Sequence, residues 1–121
     1  MRTISIAELK ELRKQYNPDS DQEKYEKHIN SLSNRDAQWK LDRIVKNRDA
    51  FKKIKADLEK FDKVIAYIDK HNFLTPDSHG GDFDKTTLWN GALYLVKDSP
   101  ENYQISVPQY GRENAIVSFR G

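Results

Sequence analysis

The densest cluster of side chains able to do chemistry is Asp77-Ser78-His79-Gly80-Gly81-Asp82-Phe83-Asp84. His79, Asp82 and Asp84 offer one imidazole and two carboxylates, donors that suit a divalent cation. Gly80-Gly81 would let the backbone turn tightly around such an ion. With a metal in place, His79 could act as the base of a metal-dependent hydrolase or nuclease. The spacing matches neither an EF-hand loop nor a zincin helix. Asp, Ser and Gly are also the residues that any tight loop uses. The metal site is therefore the alternative reading, ordinary loop chemistry is the first, and no cofactor is expected.

Other catalytic arrangements find little support. The chain has no cysteine, which excludes a thiol nucleophile, a thiolate metal site and a disulfide framework. It contains no G-x-S-x-G, no P-loop and no G-x-G-x-x-G. Its three histidines, His28, His71 and His79, fall in separate segments. A non-catalytic binding protein follows as the expectation, with one version being a small accessory, of the kind phages encode, that inhibits or redirects a larger host enzyme.

Two sets of residues could hold a partner. Trp89, Tyr94, Tyr103 and Tyr110 lie among Arg112 and Arg120 in the C-terminal third, and Trp, Tyr and Arg dominate protein–protein hot spots. The second set is basic. Residues 35–55 hold 8 Lys/Arg against 3 Asp/Glu, within a chain of net charge +2. Lys46, Lys53 and Lys60 recur every seven residues and, with Arg43 and Arg48, could track a phosphate backbone. Against nucleic acid stand Asp42 and Asp49, each four residues before a lysine, the favoured arrangement for a salt-bridged helix face.

These residues need elements to position them. From about Ser33 to Asn72 the chain has neither Gly nor Pro. Phe51, Leu58 and Ile65 at heptad position a alternate with Ile54, Phe61 and Ile68 at d, the seam of one long helix. Such a helix must extend from the body, pair with a second chain, or carry the other helices. Its e positions are Arg48, Lys55, Asp62 and Asp69, so the sign reverses halfway. In an antiparallel homodimer Arg48 would face Asp69 and Lys55 would face Asp62 of the second copy. In a single chain the two helices upstream would cover the seam instead.

Those helices are expected at about 6–16, opened by the capping box Ser5-Ile6-Ala7-Glu8, and at about 21–32, capped by Asp19 or Ser20. Residues 73–86 read as a loop or hinge. Beyond it, residues 88–96, 103–108 and 115–120 read as strands, with Asn90-Gly91 as a type I′ turn. The expected fold is α+β in a single domain, 1–121: an N-terminal helical hairpin and one long heptad-patterned helix, then a small C-terminal antiparallel sheet of three or four strands, with residues 61–68 packed on the sheet. No apolar run approaches the length of a membrane span and no signal-peptide core follows Met1. A soluble protein of the cytoplasm, or of a host's cytoplasm if virus-encoded, is the expectation.

Overall fold

The computed structural model describes residues 2–74, 85–97, 100–108 and 116–117. It contains helices α1 (Ile6–Gln15), α2 (Pro18–Ser31), α3 (Ala37–His71) and α4 (Lys85–Val96), and short strands β1 (Arg2–Ser5), β2 (Tyr103–Ser106) and β3 (Ile116–Val117). The chain divides into two compact units, Met1–Tyr16 with Asp57–Gly121, and Asn17–Ala56. Helix α3 contributes its first part to the smaller unit and its last part to the larger.

Local chemistry sets the helix ends. The Ser5 hydroxyl accepts from the Glu8 amide at 3.1 Å and starts α1. Asn17 caps α2 through the amides of Asp19 and Ser20. This cap lies upstream of the expected one because Pro18 occupies the first helical position, where its missing N–H costs nothing. The Asp36 carboxylate accepts from the Trp39 amide at 2.7 Å and opens α3. Asn72, at a φ of 61°, closes it, with its amide donating to the Ile68 carbonyl at 2.7 Å. Asn is among the few residues that enter this left-handed conformation readily.

The expected C-terminal antiparallel sheet is not what forms. The stretch read as its first strand is helix α4. Leu88, Ala92 and Leu95 are buried at i, i+4 and i+7, a helical stripe hidden in a continuous apolar run that suits either state. Asn90-Gly91 is therefore no hairpin turn. Gly91 lies inside α4, where a Cβ would come 2.3 Å from the Phe61 Cβ. The glycine is there for close helix approach, not for a positive φ.

The sheet that exists is mixed, in the order β1-β2-β3. Its longer pairing is parallel, from Arg2 opposite Tyr103 to Ser5 opposite Ser106. Strands β2 and β3 pair antiparallel over two residues. The longer-paired neighbour of the central strand β2 is thus the N-terminal stretch directly ahead of α1. Parallel strands need a long crossover, and here the helical region supplies it. The core of the larger unit gathers Ile4, Leu9, Leu58, Phe61, Val64, Leu74, Leu88 and Ile105, each at most 2% exposed. Residues 61–68 pack against α4 through Phe61 and Gly91.

Candidate functional site

In each unit, the charges at the e positions of α3 are matched within the chain. In the larger unit, Arg13 of α1 makes a two-pronged bridge to Asp62, Nε to Oδ1 at 3.0 Å and Nη2 to Oδ2 at 3.1 Å. Lys10 reaches Asp69 at 2.8 Å. In the smaller unit, Arg48 bonds Glu26 of α2 at 2.6 Å and Lys55 pairs with Asp19. The hydrogen bond from Arg48 holds the Glu26 carboxyl below its ordinary range. A sign reversal that would suit an antiparallel second copy is thus satisfied by basic α1 and acidic α2.

The apolar seam follows the same division. Leu58 and Phe61 are buried in the larger unit, while Phe51 and Ile54 are half-buried in the smaller. Asn47 falls at a d position of that seam, and its Nδ2 is buried with no acceptor among the described residues.

Exchange of the Arg13–Asp62 pair tests this account. Arg13→Asp or Asp62→Arg alone should lower stability by about 0.5 kcal/mol, and the double exchange should recover most of it, a coupling of about 0.5–1 kcal/mol for a partly exposed pair. A coupling near zero in chemical denaturation would mean that the bridge does not organise α1 on α3.

Among the described residues, the C-terminal aromatics do not form an exposed sheet face. Trp89 and Tyr103 are buried, at 8% and 7% exposure. Tyr94 is half-buried on α4, and its hydroxyl donates to Asp57 Oδ2 at 2.7 Å. Burial first, and the Asp57 carboxylate second, push this phenol up to about 12, so it stays protonated at neutral pH. Tyr110, Arg112 and Arg120 lie outside the described residues, as do the candidate metal ligands His79, Asp82 and Asp84. His28 and His71 are exposed, and the His71 ring packs against Tyr67 with centroids 4.3 Å apart.

The concavities among the described residues of the larger unit include one beside the Arg13–Asp62 bridge, of about 150 Å³, and two others. A cleft of about 320 Å³ has an apolar lining of Ile4, Leu12, Leu95, Val96 and Tyr103, with Arg2, Glu8 and Glu11 alongside. Its one cation, Arg2, is already paired with Glu8 at 3.2 Å and lies 5.9 Å from the Tyr103 ring centre. A notch of about 60 Å³ brings Asp57, Lys60, Thr87 and Asn90 together. Lys60 thereby belongs to a different unit from Arg43, Lys46, Arg48 and Lys53.

The exposed large hydrophobics lie in the smaller unit. Leu41 and Val45 on α3 are 54% and 47% exposed, and they are the exposed large hydrophobics among the described residues. Elsewhere on α3, Trp39 has the Arg35 and Arg43 guanidiniums 4.8 and 5.1 Å from its ring centre. No family model, curated protein or solved structure matches the chain. The surface must therefore be read from its own chemistry. Among the described residues no three His, Asp or Glu side chains gather as a metal-binding group, and no helix is long and apolar enough to cross a membrane.

Neither Leu41 nor Val45 belongs to the heptad seam of α3. The spacing Arg35, Trp39, Arg43 is i, i+4, i+8. Neighbours four apart on a helix meet, so that spacing was the available signal.

Proposed function

We propose that this chain is a non-catalytic protein-binding accessory, one that blocks or redirects a larger protein or complex, and that the partner sits on α3 around Leu41 and Val45. The exposure of these two side chains supports the reading. One exposed aliphatic residue means little. Two at i, i+4 form the start of the anchor pattern by which helices are recognised in grooves. An adjoining face of the helix, with Ile44 buried and Phe51 and Ile54 half-buried, already faces inward. Leu41 and Val45 are already about half covered, so completing their burial would contribute about 1–1.5 kcal/mol each, enough for an anchor within a larger contact.

A photo-crosslinking residue at position 41 of the full chain, with a second version at Lys60 as control, tests this in nuclease-treated lysate. One discrete protein adduct is expected from position 41, absent from position 60 and abolished by Val45→Glu. The same adducts from both positions, or none from position 41, would overturn the reading. An adduct of twice the chain's mass would replace the foreign partner with a second copy.

A further inference from the structure

Lys40, which donates to the Asn30 carbonyl at 3.2 Å, and Lys52 aside, the cations of α3 in the smaller unit fall into two groups. Arg48 and Lys55 are neutralised by Glu26 and Asp19 of α2. Arg43, Lys46 and Lys53 are exposed, as is Arg35 just before the helix, and none has a carboxylate within salt-bridge distance among the described residues. At 100° per residue, Trp39, Arg43, Lys46 and Lys53 fall within about 80° of one another around the axis. They form one stripe, extending about 21 Å along it at 1.5 Å per residue. The acids nearby are partly engaged elsewhere. Asp36 caps α3 through the Trp39 amide, and Asp42 accepts from Gln38 at 2.9 Å. The i, i+4 bridges from Asp42 to Lys46 and from Asp49 to Lys53 do not form.

The Arg35–Trp39–Arg43 group gives the stripe its chemistry. Two like-charged guanidiniums are drawn to one indole by cation–π attraction, which concentrates positive charge and leaves their N–H forks without an anion. A planar fork of this kind matches phosphate oxygens two at a time. Lys46 and Lys53 continue the line as point charges. We infer that this stripe binds the phosphate backbone of a nucleic acid, with Arg35 and Arg43 gripping phosphates and Lys46 and Lys53 following the strand. This activity does not rest on the protein-binding reading, because Leu41 and Val45 lie on another side of the helix. It also revises the basic set read from sequence: Arg48 and Lys60 leave it, and Arg35 and Trp39 join it.

The test is fluorescence anisotropy of the full-length protein with labelled oligo-dT, with a mixed-sequence DNA duplex, and with poly-glutamate, over a series of salt concentrations. Four phosphate contacts predict a log–log salt slope of about −2.8 on the single strand or about −3.6 on the duplex. The two nucleic-acid arms show which form is preferred. Arg43→Gln and Lys46→Gln should each reduce the size of that slope by about 0.7 to 0.9. Trp39→Ala should weaken binding several-fold with little change in slope, because it frees the guanidiniums without removing charge. Lys60→Gln should leave both affinity and slope unchanged. Circular dichroism of each variant checks that helicity is retained, as expected at the exposed positions 43, 46 and 60 and for alanine, a strong helix former, at half-buried Trp39. No binding at low salt, equal binding of poly-glutamate, or equal loss in Lys60→Gln would overturn the inference.

Discussion

Gly91→Ala should destabilise the protein by about 3 kcal/mol, read as a lower denaturant midpoint with an unchanged m-value. On an exposed helix the same substitution is favourable by about 1 kcal/mol, since alanine has the highest helix propensity. The sign reverses here because of Phe61. A Cβ at position 91 would fall 2.3 Å from the Phe61 Cβ and 2.5 Å from two further carbons of the same side chain. The nearest of these atoms is fixed to the α3 backbone, so rotating the ring does not relieve the clash. Helices α3 and α4 must separate instead, and Phe61 has no exposed surface from which to begin moving. Asn90→Ala, at an exposed neighbour in α4, serves as the control and should stay within about 0.5 kcal/mol of the parent. A Gly91→Ala variant as stable as that control would mean that α4 does not cross α3 at this glycine.

That glycine also shows where the sequence was legible and where it was not. Local signals were readable. Ser5 caps α1 as its spacing with Glu8 suggests, and the seam from Phe51 to Ile68 lies in one continuous helix. Information held by distant partners was hidden. Asn90-Gly91 carries the composition of a hairpin turn, and only Phe61, thirty residues earlier, reveals that the glycine serves packing. The run from Leu88 to Val96 is apolar on all sides, so its period could not distinguish helix from strand.

The candidate surface divides in the same way. The sign pattern of Arg48, Lys55, Asp62 and Asp69 called for complementary partners, and complementary partners are present. Charge arithmetic could not say that they come from α1 and α2 and not from a second copy. Once α2 has claimed Arg48 and Lys55, the cations left over include those beside Trp39. The functional reading thus depended on knowing which charges were already spoken for, which is a property of the tertiary structure.

The parallel pairing of β1 with β2 was the least legible feature, and it leads to the second large effect. Four residues, Arg2–Ser5, are too few for a convincing alternation, and their partner begins at Tyr103. Yet Ile4 is 2% exposed and sits opposite Ile105, which has no exposed surface. Ile4→Asp removes a buried aliphatic side chain and puts a carboxylate beside a cleft whose one cation, Arg2, is already paired with Glu8. The loss of apolar burial and the desolvation of the charge add, so the cost should exceed about 4 kcal/mol. Against a typical total of about 5–15 kcal/mol, the larger unit should be marginal or unfolded. Thr3→Asp, one residue away on the exposed side of the strand, should change stability by no more than about 0.5 kcal/mol. Thermal unfolding of the two variants side by side therefore reads the strand's facing directly. If residues 2–5 were only a lead-in to α1, the two substitutions would behave alike. A large difference between neighbours requires an element of period two with one face in the core, and β2 is the strand that β1 pairs with.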